Sequence, residues 1–179
     1  MRYQLKGFTL IEAMIVLLVA AILLAVAIPA WSNATSAAHN GATRAALAST
    51  VLDAVRHSAL MGADVVACPG TGEAQCSGSF DWSGGWIVFA DVNGNRVRDA
   101  HETVVKQAPA LEGGVRLRST AGRTKLVFQP NGGNAGSNVT FTLCDKRGVA
   151  KASTLVLAND GRIRQGIPTA AAAQACVYG

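Results

Sequence analysis

Several residues in this chain of 179 have types and spacings that could do chemistry. Arg162 and Arg164 stand two apart in "GRIRQG", between Gly161 and Gly166. On an extended segment such residues leave one face about 7 Å apart. That is close to every second charge on one strand of nucleic acid, spaced roughly 3.4 Å apart in B-DNA. Planar guanidinium forks suit phosphate oxygens, and the flanking glycines let the backbone turn or approach a ligand closely. The chemistry implied is polyanion binding.

A second constellation is Asp91, Asn93, Asn95 and Glu102, in "DVNGNRVRDAHE". Their spacing matches positions 1, 3, 5 and 12 of a calcium loop. That loop needs glycine at its sixth position, where Arg96 stands. Asn93-Gly94 is also a strong hairpin signal in its own right. A hairpin without metal is the expected use.

Cys68, Cys76, Cys144 and Cys176 allow three disulfide connectivities. Cys68–Cys76 would close a small loop, and Cys144–Cys176 would pin the C-terminal end to a strand. That pairing is favoured. A zinc ribbon wants two close pairs, and only one pair here is close. His39 and His57 lack partners at metal spacing and are expected at solvated helix positions, and His101 is expected exposed in a charged turn. No nucleophile, base or phosphate-cradling loop stands in a helpful context. The chain is expected to be neither an enzyme nor a cofactor binder.

The fourth feature is Glu12, near the start of a long apolar run. Ala13 to Ala30 carry no charged or polar side chain, and a bilayer-spanning helix needs about 20 residues. A charge at a bilayer centre costs about 2.5–3.5 kcal/mol even on the lenient insertion scale. The run exceeds the 7–15 apolar residues typical of a signal peptide, and no clear cleavage site follows it. A plain anchor would leave Glu12 to snorkel to the headgroups. Arg2 and Lys6 keep the leader cytoplasmic by the positive-inside rule.

The stretch "GFTLIEAMIVLLVAAILLA" resembles the processing site and stem of type IV pilins and type II secretion pseudopilins. The resemblance implies cleavage after Gly7 by a prepilin peptidase and N-methylation of Phe8. Glu12 would then be the fifth residue of the processed chain. In a filament, the stems pack into an apolar core where a lone carboxylate is costly. The α-amino group of Phe8 on a neighbouring subunit can pair with Glu12, and such a pair fixes register. The implied partners are other pilin subunits, the pilus assembly machinery, and the inner membrane before assembly. The head would face the periplasm and later the cell exterior.

The elements that position these groups follow from periodicity and punctuation. Helix is expected from about Phe8 to Met61, loosened near Pro29 and at Asn40-Gly41, with Gly62 as its cap. Its second half is Ala-rich, and Ala38, Ala45, Leu52, Val55 and Ala59 recur at helical spacing as the stripe offered to a sheet. Arg44, Asp53 and Arg56 would face water. Strands are expected at 64–68, 85–91, 102–107, 115–119, 124–129, 138–145, 153–158 and 161–165. An antiparallel sheet packed on the helix makes the class α+β, a type IV pilin fold. The organisation is a leader (1–7), a membrane or filament-core helix (8–30), an amphipathic half-helix (31–62) and a β-rich head (63–179).

"GWIVFADVNGNRVRDAHETVV" resembles the FimT/GspH branch of minor pilins and pseudopilins. Charge is segregated within the chain. Residues 8–105 hold four basic against eight acidic side chains, whereas 106–179 hold ten against three. Within the FimT branch, a Gly-Arg-x-Arg motif near the C-terminus is associated with DNA binding in natural transformation. Gly161, Arg162 and Arg164 match it, and Lys146, Arg147 and Lys151 are expected helpers. Base stacking should be minor, since exposed aromatic candidates nearby are few, Tyr178 being one. The alternative is a structural minor pilin, or a GspH-like pseudopilin of a type II secretion system, whose arginines meet acidic faces of neighbouring subunits.

Overall fold

The computed structural model describes residues 7–71, 75–136 and 138–179. Leader residues 1–6 lie outside them, so of the leader only Gly7 is described. The chain divides into two compact units, ending and beginning at Thr35 and Ser36.

One helix, α1, runs from Leu10 to Met61. Thr9 starts it, accepting from the Glu12 amide at 3.3 Å through Oγ1 and from the Ala13 amide through its carbonyl. Glu12 thus stands at the third helical position of a Thr-x-x-Glu capping spacing, at the positive end of the helix dipole. Pro29 lies inside the helix, and Asn40-Gly41 do not interrupt it. Gly62, at φ 64°, ends it, with its N–H on the Ser58 carbonyl at 3.0 Å.

In the first unit, large apolar side chains from Phe8 to Trp31 are exposed. The helix is long and apolar enough to cross a membrane. A surface this apolar needs a bilayer or other stems around it.

The second unit holds both disulfides and the buried apolar residues, from Leu47 onward. It therefore carries its own means of folding alone. Eight antiparallel strands follow the helix: β1 Asp64–Pro69, β2 Trp86–Asp91, β3 Val104–Ala108, β4 Arg116–Ser119, β5 Leu126–Phe128, β6 Val139–Cys144, β7 Ser153–Leu157 and β8 Ile163–Gly166. A C-terminal helix, α2 (Ala170–Tyr178), which the sequence reading omits, closes the chain.

The strands form two four-stranded sheets, ordered β3-β2-β1-β5 and β4-β6-β7-β8, rather than one. The main core lies between them and α1. Leu47, Val51 and Ala54 of the helix meet Val65, Trp86 and Phe128 of the first sheet and Phe141, Leu143 and Leu157 of the second. Trp82 packs edge-on against Phe141, with ring centroids 5.2 Å apart, and its indole N–H reaches Ser119 Oγ at 3.1 Å. Buried indoles need such a partner. Trp86 finds its own in Thr50 Oγ1 at 3.0 Å. A smaller cluster of Val66, Ile87, Phe89 and Val127 covers the other face of the first sheet, and Cys76 packs on it. This is why β1 and β2 read as nearly unbroken apolar runs.

The buried face of α1 is not the expected stripe. Ala38, Ala45, Leu52 and Ala59 are exposed, and of those five residues only Val55 packs against the core. The helix instead buries Ser36, Asn40, Thr43, Leu47, Thr50, Val51, Ala54 and Ser58. That face is half polar because its hydroxyls bond to backbone carbonyls, most of them the helix's own. Thr43 reaches the His39 oxygen, Thr50 that of Ala46, and Ser58 those of Val55 and Gln129. A polar side chain satisfied in this way is no longer costly to bury. Arg44 and Asp53 also do more than face water. Arg44 bonds Asn40 Oδ1 and Ser153 Oγ, and Asp53 takes Lys106 Nζ at 2.6 Å.

Candidate nucleic-acid interface

β8 is the edge of the second sheet, paired on one side with β7. The register sets Leu157 opposite Ile163, Val156 opposite Arg164 and Thr154 opposite Gly166. Ile163 packs against the core, so Arg164, next along the strand, leaves the outer face. The β7–β8 turn is made by Gly161 at φ 79°, a conformation that favours glycine. Its amide bonds the Ala158 carbonyl, and Ala158 donates to the Arg162 carbonyl at 2.9 Å. Arg162 therefore continues the ladder one step beyond the strand.

Both arginines are exposed, but their surroundings differ. Arg162 Nε lies 2.6 Å from Asp160 Oδ2, with the arginine side chain 80% exposed. The Arg162 amide, donating to Asp160 Oδ1, is the leading cause that holds the Asp160 carboxyl below its usual range, and the guanidinium adds to it. Arg164 carries no ion pair among the described residues.

The structure separates the expected helpers from this pair. Lys146, Arg147 and Lys151 lie on the β6–β7 connection, which enters β7 at Ser153. The Arg162 turn leaves from the opposite end, after Leu157. Five residues of strand put about 15 Å between the two ends. Arg147 is further committed to Asp145, donating from Nε at 2.9 Å and from Nη2 at 2.7 Å. Asn40 Nδ2 meets the same carboxylate at 3.0 Å. Burial opposes ionisation of Asp145, but the Arg147 and Asn40 hydrogen bonds outweigh it and hold the carboxyl below its ordinary range. Lys146 and Lys151 are exposed.

Other basic residues of the C-terminal half also have structural duties. Arg116 and Arg118 bond the last carbonyls of α2, at Val177 (3.1 Å) and Ala175 (2.7 Å). Cations there satisfy orphan carbonyls and complement the helix dipole. Thr169 caps the other end, accepting from the Ala172 amide. That cap, followed by an alanine run, was the sequence signal for α2. The Cys144–Cys176 disulfide fastens α2 to β6, and Cys68–Cys76 closes the loop after β1.

The 91–102 segment is the loop of the β2–β3 hairpin. Asp91 accepts from the amides of Asn95 and Arg96, and Glu102 from those of Val92 and Asp99. Asp99 Oδ2 takes both Asn93 and Asn95 side-chain amides, which leads the lowering of its pKa. Asp99, His101 and Glu102 bring ligand-type atoms within 4.8 Å of one another. The carboxylates named here are engaged by the loop's own N–H groups. Arg96 takes φ 59° where a calcium loop has glycine.

At the other end of the chain, Phe8 is 79% exposed and Glu12 is exposed one helical turn away. The prokaryotic N-terminal methylation motif matches residues 5–28. The family described as type II transport protein GspH matches residues 31–161, well over half of the chain. The chain belongs to the GspH family. Its fold is similar to that of the type IV minor pilin FimU of Pseudomonas aeruginosa, at 13% identity, covering 70% of this chain and 89% of that one, TM-score 0.51. A second crystal form of FimU gives 0.53, with 70% and 84% covered at 13% identity. The minor pseudopilin EpsH of the Vibrio cholerae type 2 secretion system is similar at 11% identity, covering 73% and 98%, TM-score 0.51. No curated protein sequence matches the chain. A GspH-family chain with this stem and head is a minor pilin or pseudopilin, a member of a family of structural filament subunits, and its apolar stem suits it to membrane anchoring and assembly.

Proposed function

We propose that this subunit assembles into a type IV pilus and binds DNA without sequence preference, for uptake in natural transformation. The supporting observation is the Gly161–Arg162–x–Arg164 turn and edge strand, with both arginine side chains exposed and Asp160 the one carboxylate paired to them among the described residues. The planar guanidinium fork is preorganised, so less side-chain freedom is lost for each hydrogen bond made to phosphate. Lys146 and Lys151 form a separate, weaker contact at the far end of β7. Processing after Gly7 by prepilin peptidase, N-methylation of Phe8 and pairing of Glu12 with a neighbouring subunit's amino group place the chain in the filament. The head then lies in the periplasm and, once assembled, outside the cell.

A second reading has a specific observation behind it. Arg116, Arg118 and Arg147 serve the head's own structure, which lowers the charge available to a polyanion. On that reading the subunit is a structural minor pilin, or a pseudopilin of a type II secretion system. Titrating residues 36–179 with labelled duplex DNA at low and raised salt separates the two. Binding that weakens steeply with salt supports DNA capture. No binding at low salt leaves the structural role.

A further inference from the structure

We infer that the head holds nucleic acid as a single strand, with an unstacked base seated on the outer face of the second sheet. This rests on the DNA-binding reading and adds which form of DNA the site takes. α2 covers only part of that face, being fastened at Cys144 and capped by Arg116 and Arg118. Beside it lies an open groove of about 520 Å³, within the range of ligand sites. Thr140, Thr142, Thr154 and Val156 lie along it, with Ala172 and Ala175 of α2 on one side.

The groove and the strand edge beside it carry complementary chemistry. At the β4 side stands Phe80, 42% exposed, with the Arg118 guanidinium carbon 5.8 Å from its ring centroid. At the β8 side the register sets Arg164 directly opposite Val156, on the same face. Three inter-strand steps of about 4.8 Å separate β4 from β8, a span of about 15 Å that a few nucleotides of single strand would cross. None of the described lining residues is acidic. Asp81, which follows Phe80 in the chain, is paired with Arg118 at 3.6 Å.

A half-exposed aromatic ring, hydroxyls along the floor and Arg164 opposite Val156 suit an unpaired base and its phosphates. Bases in a duplex keep their faces stacked and cannot enter, whereas a splayed base offers a face to Phe80 and an edge to the threonines. Gly166 helps to keep the floor open, since a Cβ there would lie 2.9 Å from Thr154 Oγ1. Phe80 is remote in sequence from the arginines, and the fold brings it to the same face, which the expectation of minor stacking does not include.

Residues 36–179 are titrated with a labelled 12-nucleotide single strand and with the matching duplex, at the same low salt. The expected result is single-strand binding about tenfold tighter than duplex binding, the worth of one stacked base. Phe80→Ala and, separately, Thr140→Glu should bring the single strand to the duplex affinity, and Phe80→Ala should leave duplex binding unchanged. Retained duplex binding also shows that a variant is folded. Equal affinity for the two forms, or a Phe80→Ala variant that keeps the preference, overturns this inference alone. Absence of binding to either form overturns the DNA reading with it.

Discussion

Asn40, on the buried face of α1, donates through Nδ2 to Asp145 Oδ2 at 3.0 Å, and the Asp145 side chain is fully closed to solvent. The same carboxylate holds Arg147, and Asn40 in turn accepts from Arg44 Nε at 3.0 Å. One polar chain thus ties the helix to the corner between β6 and β7, beside the Cys144–Cys176 bridge.

Asp145→Asn should destabilise the head at pH 7 by about 2–3 kcal/mol, a little less than loss of a fully buried pair because Arg147 keeps some exposure. The folded-state pKa of Asp145 is depressed. Its contribution is therefore present above the unfolded value, near 3.9, and is lost as pH falls through the folded value. Denaturant unfolding at pH 7 and pH 3 checks this. The gap between wild type and variant should be wider at the first pH than at the second.

The observed helix face sets a second test. Leu47 is 2% exposed and Leu52 is 67% exposed. Leu47→Ala should cost about 2–5 kcal/mol, while Leu52→Ala should stay within about 0.5 kcal/mol. Thermal unfolding of the two variants measures the contrast. The stripe read from the sequence predicts the reverse order.

That reversal shows what was legible in the chain. The eight strands could be read because alternation and Gly/Asn punctuation act locally, and each predicted segment overlaps an observed strand. The helix face could not, because alanine is uniform around the second half of α1 and the buried set is rich in Ser, Thr and Asn, whose burial depends on backbone partners. The division into two sheets depends on the β1–β5 and β4–β6 pairings, contacts between segments far apart in the sequence. At the site, the Gly161 turn and the exposed Arg162 and Arg164 follow from spacing alone. The stationing of Arg116 and Arg118 on α2 could not be foreseen while α2 itself was unread. The separation of Lys146 and Lys151 from the arginine pair is a matter of strand register.

Glu12→Ala should leave cleavage after Gly7 largely intact and reduce incorporation into filaments, because register loses its charged partner. The mass of the processed chain and its amount in the sheared filament fraction check the two parts separately. The Thr9–Glu12 capping spacing adds that Glu12→Gln, which keeps a Thr-x-x-Gln capping pattern, should preserve the helix start without restoring assembly.

Asp160→Asn should raise DNA affinity roughly two- to fivefold at low salt, by removing one repulsive charge and releasing Arg162. The gain should shrink at raised salt. An anisotropy titration of this variant beside wild type measures it, and weaker binding would mean that Asp160 serves mainly to aim the guanidinium.

The most direct measurement is the salt dependence of duplex binding by residues 36–179, for wild type and for the Arg162→Ala, Arg164→Ala double variant. Each phosphate contact contributes about one to the slope of log affinity against log salt. The account predicts a slope smaller by about two in the double variant, with affinity reduced at every salt concentration. An unchanged slope, or a wild-type head that binds no DNA in dilute buffer, would contradict it.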